Sequence, residues 1–175
     1  MIPFGNKESA RAMTDEPDAT SSHERLTHVQ IAQDASQLVS QDRLHEQAVA
    51  IYDLLDENLF SVVGAQGPYH LHLKTDQRHV YFDVRDEMSG PMSGFGMALG
   101  PFRRVIRDYN QVCTSYYEAI RTRSPSQIQA IDMGRRALHN EGADVLKARL
   151  SNYVLIDVQT ARRLFTLVYV MTLKG

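Results

Sequence analysis

The amino-acid sequence predicts an α+β domain, in which an antiparallel sheet of about four strands is packed on one face by a helical layer. Segments that alternate apolar and polar residues, the pattern of a half-buried strand, fall mostly between residues 26 and 99. Apolar residues at helical spacing dominate from residue 101 onwards. Strands grouped before helices are typical of the α+β class.

The N-terminal segment differs in composition from the rest of the chain. Residues 1–25 are rich in Ser, Thr, Asp, Glu, Pro and Ala, and they show no periodic apolar pattern. Such a segment buries too little apolar surface to offset the entropy lost on ordering. The sequence therefore predicts a disordered tail over residues 1–25 and a single α+β domain over residues 26–175.

Composition restricts the cellular setting. The chain of 175 residues has a formal net charge of −2, which argues against extensive coating of nucleic acid. The one cysteine, Cys113, cannot form an intrachain disulfide. The first residues lack the apolar core of a signal peptide, and the apolar run Leu167–Met171 is too short to span a bilayer. We expect a cytoplasmic protein without a membrane segment.

The first strand and helix are predicted from their periodicity. Residues 26–32 alternate, which places Thr27, Val29 and Ile31 on one side of a strand. Residues 41–58 follow with a helical stripe, formed by Leu44, Ala48, Ile51, Tyr52 and Leu55.

Residues 69–85 are predicted to form a hairpin with one apolar face. Pairing Lys74 with His79 around a turn at Asp76 and Gln77 places all the aliphatic side chains together, whereas a slip by one residue would mix the faces. A turn at residues 88–91 then leads to a third strand, residues 95–99, with Phe95, Met97 and Leu99 on one side.

Two long helices are predicted next. Pro101 begins the first, whose apolar stripe is Phe102, Val105, Ile106, Tyr109, Val112, Cys113, Tyr116 and Ile120. The capping box Ser124–Gln127 begins the second. Gly134 is expected at a close helix contact, and Asn140 with Gly142 at a break before a further helical stretch.

The C-terminal segment is predicted as a short strand, residues 154–158, followed by a buried helix, residues 161–171. Either Asp157 or Thr160 is suited to cap that helix. The pattern also permits a strand over residues 167–173.

The first candidate site is a set of polar residues on one face of the hairpin. Imidazoles and a carboxylate are the ligands that zinc and similar metals bind, and they occur at His70, His72, His79 and Asp83. The polar face of an antiparallel sheet needs no metal, however, and no metal-binding spacing is present. We therefore predict no metal and keep these four residues as candidates. No Walker or dinucleotide-binding glycine motif indicates a cofactor.

The second candidate is the arginine content of the two central helices. Between residues 101 and 136 the chain carries seven arginines and three acids. The candidate binding residues are Arg103, Arg104, Arg107, Arg135, Arg136 and Asn140, and Arg162–Arg163 form a third pair. Arginine recognises phosphate and carboxylate groups in a bidentate manner. The alternative is a solvated helix face laced by ion pairs. Nucleic acid is not favoured, because most helical tyrosines lie on the apolar stripe.

The third candidate is the tetrapeptide His139–Asn140–Glu141–Gly142. A histidine and a carboxylate near a helix break can perform acid–base chemistry. The alternative is an ordinary helix end, since no nucleophile or oxyanion-hole motif accompanies them. Cys113 lies on the apolar stripe and is expected to be an inert core residue.

Several runs resemble uncharacterised protein family 0262 of the UPF series, a bacterial family of small proteins: HEQAVAIYDLLDEN, GPYHLHL, PFRRVIRDY, SYYEAIRTRSPSQIQAIDMGRRALHNEG and TARRLFTL. The resemblance covers most of the chain after about residue 26. It implies a bacterial domain and no particular activity, cofactor or catalytic residue. The N-terminal tail looks like an extension beyond the family pattern.

Our leading hypothesis is a non-enzymatic binding or regulatory protein that recognises an anionic protein or a nucleotide-containing partner through its arginine-bearing helix faces. The alternative is a small enzyme of hydrolase or transferase type that uses His139 and Glu141. The sequence indicates no particular oligomeric state.

Overall fold

A computed structural model describes residues 23–32, 40–76 and 78–173 of the chain. The elements in chain order are β1 (Leu26–Ile31), α1 (Gln41–Asp56), β2 (Phe60–Val62), β3 (Tyr69–Thr75), β4 (His79–Arg85), β5 (Pro91–Ala98), α2 (Arg103–Thr122), α3 (Pro125–Leu150), β6 (Val154–Ile156) and α4 (Val158–Thr172). A short 3₁₀ turn, Gly100–Phe102, leads into α2.

The main sheet has four strands in the order β1-β3-β4-β5, and the predicted α+β class is confirmed. The strands β3, β4 and β5 pair antiparallel, whereas β1 pairs parallel to β3. The chain between β1 and β3 passes through α1, and such a crossover lets the two strands run in the same direction. The strands β2 and β6 form a separate two-stranded antiparallel sheet.

The β3–β4 hairpin has the predicted apolar face but a different register. Its aliphatic side chains are buried together, yet Lys74 lies opposite Tyr81 and not opposite His79. This difference of two residues preserves the face to which each side chain points. The turn lies one residue later than predicted, since Thr75 lies opposite Val80 and the N–H of Asp76 donates to the carbonyl of His79 at 3.1 Å. One carboxylate oxygen of Asp76 also accepts from the backbone N–H groups of Arg78 and His79, each at 2.7 Å. Residue 77 lies outside the described residues.

Strand β1 departs from the simple alternation that its sequence suggests. Leu26 and Val29 are buried, while Thr27 is exposed. The pairing with β3 shifts between Leu26 and His28, and an extra residue in a strand reverses the faces on either side of it. The predicted tail lies outside the described residues except for residues 23–25, of which Arg25 donates to the carbonyl of Leu55.

The buried face of α1 is rotated from the predicted stripe. Ala50 and Leu54 are buried, whereas Tyr52 is 73% exposed. Helix α1 packs against β1 on one side and α4 on another, so its apolar contacts are set by two neighbours and not by one regular stripe.

The central helices follow most of the sequence pattern. The stripe of α2 faces the core except for Ile120, and the predicted capping box at Ser124 and Gln127 is present. The predicted break at Asn140 and Gly142 is wrong, because α3 runs for 26 residues without interruption.

The glycines of α3 have the opposite roles to those predicted. A side-chain carbon at Gly134 would lie 4.0 Å from Val112, which is an ordinary contact. At Gly142 it would overlap the buried ring of Phe165 in α4. The close helix contact is therefore at Gly142.

The C-terminal apolar segment is a helix, which excludes the strand alternative. Asp157 caps α4, since its carboxylate accepts from the backbone N–H of Thr160 at 2.8 Å. The hydroxyl of Thr160 accepts from the N–H of Leu59 at 3.0 Å and links α4 to the chain before β2. No helix among the described residues combines the length and the apolarity needed to cross a membrane.

The core lies between the sheet and the helices. The inward side chains of β1, β3, β4 and β5 belong to one apolar cluster with the buried faces of α1–α4. Helix α4 packs against both α1 and α3, and α2 packs against α3. This arrangement leaves a groove that is lined by residues of α1, α2 and α4.

Candidate ligand-binding groove

One edge of α2 presents polar side chains to solvent at regular spacing. Residues separated by three, four or seven positions lie on the same side of a helix. On α2 these residues are Arg103, Arg107, Asn110, Tyr117 and Arg121, and each is exposed.

A depression of about 530 Å³ lies beside the start of this edge. Arg78, Arg103 and Arg107 line it together with Leu99 and Ile106, and among the described residues no carboxylate does. Arg78 comes from the β3–β4 turn, and its carbonyl accepts from the N–H of Leu99 at 2.8 Å. This hydrogen bond holds the turn beside the start of the helical region.

The arginines of this depression are largely available to a ligand. In the described part of the chain neither Arg78 nor Arg103 has an ion-pair partner. Arg107 lies 3.2 Å from a carboxylate oxygen of Asp108, but its side chain is 73% exposed. An exposed ion pair contributes little and is readily exchanged.

A larger depression of about 860 Å³ adjoins the first. Asn110 and Leu173 line both, so the two depressions are neighbours. We call them together the α1–α2 groove. Its apolar lining includes Val49, Tyr117 and Ile120, which are 44%, 58% and 49% exposed.

The base of the larger depression is polar and hydrogen-bonded. The hydroxyl of Tyr169 donates to Oδ1 of Asn110 at 2.9 Å, and Arg43 donates to the carbonyl of Leu173 at 3.1 Å. Glu46 lies in the same lining, and burial raises the pKa of its carboxyl group although Arg43 and Arg135 act in the opposite direction. A half-buried carboxylate at such a place accepts hydrogen bonds in a partly desolvated setting.

The other predicted arginines lie outside the smaller depression. Arg104 forms ion pairs with Glu141 and Asp108, while Arg135 and Arg136 both pair with Asp132. Arg104 and Arg136 are 62% and 67% exposed, so their ion pairs are as readily exchanged as that of Arg107. None of these three arginines lines the smaller depression, so the predicted arginines do not form one common surface. Arg163 donates to the carbonyl of Glu57 and lines the larger depression. Asn140 is exposed on α3 and lines neither depression.

His139 and Glu141 do not converge on a common point. The Nε2 atom of His139 lies 2.9 Å from the hydroxyl of Thr166, and its ring packs against Tyr109 and Phe165. Burial lowers the pKa of His139 to about 4, and the positive charges of Arg162 and Arg135 act in the same direction. Glu141 pairs instead with Arg104. The arrangement gives no support to an acid–base pair, and we advance no enzymatic function.

The polar residues of the sheet are only partly brought together. His72 lies opposite Asp83, but His70 lies opposite Arg85, and His79 lies at the far end of β4. Arg85 donates twice to one carboxylate oxygen of Asp83, at 2.9 and 2.7 Å. Across the described ranges, no group of three or more His, Cys, Asp or Glu side chains is placed to hold a metal ion.

Cys113 lies in the interior, as its position on the apolar stripe predicts. Its thiol interacts with Tyr109 and Tyr169, and burial raises its pKa. A thiol that stays protonated is a poor nucleophile, so Cys113 is a packing residue.

Sequence reasoning missed Arg78, Glu46 and Tyr117 as groove residues. Arg78 lies in a turn and Glu46 on another helix, and only the tertiary structure brings them beside α2. Tyr117 was distinguishable in the sequence as the tyrosine that falls off the apolar stripe of α2.

The fold and the site define a small α+β protein with an arginine-lined groove. The sequence pattern of the Uncharacterised protein family (UPF0262) matches residues 23–174. The chain belongs to this family.

Bacterial relatives cover nearly the whole chain. The UPF0262 protein of Bradyrhizobium diazoefficiens is 43% identical over 165 residues, which cover 93% of this chain and 100% of the relative. That of Rhodopseudomonas palustris strain BisB5 is 45% identical over 163 residues, with 93% and 99% covered. That of Rhodospirillum rubrum is 50% identical over 131 residues, with 75% and 81% covered. No solved structure matches the chain.

Proposed function

We propose that this protein is a non-enzymatic binding protein that holds an anionic, phosphate-bearing ligand in the α1–α2 groove. The observation that carries the proposal is the depression lined by Arg78, Arg103 and Arg107 without a lining carboxylate among the described residues. Three cations that face one concave space repel one another, and a bound anion relieves that repulsion.

The choice of a phosphate-bearing ligand follows from the chemistry of arginine. The planar guanidinium group donates several hydrogen bonds at once and matches the geometry of phosphate oxygens. A concave site also encloses a small ligand better than it matches a flat protein surface. These features support a small anionic ligand over an extended acidic surface.

The test is a calorimetric titration of the full chain with inorganic tripolyphosphate, carried out at low and at high salt. We expect binding that weakens as salt is added, because the interaction is mainly between charges. Replacing two arginines together, Arg103→Ala with Arg107→Ala, should weaken binding about tenfold or more, since each removes charge-assisted hydrogen bonds.

A matched control removes the same amount of charge elsewhere. Arg136→Ala with Arg149→Ala changes two exposed arginines of α3 that do not line the groove. This pair should leave binding unchanged, and circular dichroism should show that both double variants are folded. Absence of tripolyphosphate binding, or equal loss in the two double variants, would contradict the proposal.

A further inference from the structure

The two halves of the α1–α2 groove differ in chemistry. The half beside Arg78, Arg103 and Arg107 is cationic. The other half lies at Tyr117, ten residues after Arg107 on α2, and ten residues span about 15 Å along a helix axis. A ligand held only by phosphate would fill the first half and leave the second empty.

The second half offers apolar surface that a flat ring can cover. Tyr117 is 58% exposed, and the side chains of Val49 and Ile120 lie in the same lining. Exposed tyrosine rings provide stacking surfaces for nucleobases, irrespective of which base is present.

The second half is lined by carboxylates as well as arginines. Asp42, Glu46 and Asp53 lie in its lining on α1, together with Arg43, Arg121 and Arg163, whereas the first half is lined by arginines without a carboxylate among the described residues. Ionised carboxylates only accept hydrogen bonds, so they suit hydroxyl and amino donors. Ribose hydroxyls and the amino groups of bases are donors of this kind.

From this division we infer that the ligand is a nucleoside di- or triphosphate. Its phosphates contact Arg78, Arg103 and Arg107, its base lies against Tyr117, and its sugar or base donates to the carboxylates of α1. The inference rests on the proposed function and names the ligand class for the same groove. A long single-stranded RNA is less suited, because the phosphates of its following nucleotides would leave the half lined by arginines alone and enter the half where the carboxylates of α1 also lie.

The experiment compares nucleotides with tripolyphosphate on the full chain by calorimetry. We expect at least one of ATP, GTP, CTP and UTP to bind about tenfold or more tightly than tripolyphosphate, which is the scale of one base stacked on an aromatic ring. Tyr117→Ala should remove that advantage and leave the affinity for tripolyphosphate unchanged. Tyr117→Phe, which keeps an aromatic ring, should retain the tighter binding of nucleotides.

Tyr52→Ala is the matched control, since Tyr52 is 73% exposed on α1 and lines neither depression. It should bind nucleotides as the unaltered chain does. If nucleotides bind no better than tripolyphosphate, this inference is wrong while the proposed function stands. If an eight-residue RNA binds more tightly than every nucleotide, the ligand is RNA. If nothing binds, both proposals fall.

Discussion

Nearby carboxylates pair with several arginines of the two central helices. Asp132 engages Arg135 and Arg136 together, and Glu141 engages Arg104. Asp132 lies within a turn of both its partners on α3, whereas Glu141 lies on α3 and faces Arg104 on α2. Arg103, at the start of α2, pairs with none of the carboxylates in the described part of the chain.

Gly142 is the residue at which helix packing is most sensitive to added volume. An alanine there would overlap the ring of Phe165, which is fully buried and has little room to move. We expect Gly142→Ala to lower the free energy of unfolding by about 1–3 kcal/mol. Urea denaturation followed by circular dichroism measures this value.

Gly134→Ala provides the comparison within the same helix. The new methyl group would meet only an ordinary contact with Val112, and alanine favours the helix. This variant should be unchanged or more stable by up to about 1 kcal/mol. Equal stability of the two variants would show that the contact at Gly142 is not tight.

His139 makes stability depend on pH. Its pKa is lowered to about 4 by burial, with Arg162 and Arg135 acting in the same direction, whereas the unfolded chain has the ordinary value of 6.5. Between these two values the unfolded state binds the proton and the folded state does not. Stability is therefore lost as pH falls from about 6.5 to about 4, and the loss is about 1–2 kcal/mol because the ring is only partly buried.

The measurement is urea denaturation at a series of pH values for the unaltered chain and for His139→Gln. Glutamine can retain a hydrogen bond to Thr166 and does not titrate. The unaltered chain should lose more stability than the variant over this pH range, since its other titrating groups are shared by both. Parallel pH profiles would contradict the assignment.

At the level of elements, one asparagine joins the first strand to the first helix. The side chain of Asn58 accepts from the N–H of Leu26 at 2.7 Å and donates to the carbonyls of Leu26 and Leu54, at 3.1 and 2.8 Å. Among the described strands, β1 pairs with β3 alone, and this bridge also holds the first residue of β1 in place.

Asn58→Ala removes all three hydrogen bonds and leaves their backbone partners unsatisfied. We expect a loss of about 2–3 kcal/mol in the free energy of unfolding and faster hydrogen exchange at the amide of Leu26. Asn152→Ala, at an exposed position of the turn before β6, should leave both unchanged. Slow exchange at Leu26 in the first variant would show that pairing with β3 holds β1 by itself.

At the scale of the whole molecule, the groove is a product of chain topology. Its walls are α1 and α2, which are separated in sequence by the strands β2–β5. Helix α4 contributes Arg163, Thr166 and Tyr169, and Leu173 follows directly after α4. The turn between β3 and β4 supplies Arg78 to the cationic half. A site assembled from four separate segments holds its groups at fixed distances because each segment is anchored in one core.

The sequence by itself determined the α+β class, the apolar face of the hairpin, the inward face of α2, and the capping box at Ser124. Each depends on contacts between near neighbours or on a period of two or of 3.6 residues, which the order of side chains specifies directly. The sequence also places Arg103 and Arg107 on the polar face of one helix, and both line the smaller depression; their binding role stays a prediction.

Only the tertiary structure decided the parallel pairing of β1, the continuity of α3 through Gly142, and the composition of the groove. The ring of Phe165 requires a glycine opposite it, and no local pattern distinguishes that need from a helix break. Likewise, Glu46 and Arg78 become neighbours of α2 through packing of distant segments. Periodicity describes which way a side chain points, whereas packing decides what it meets.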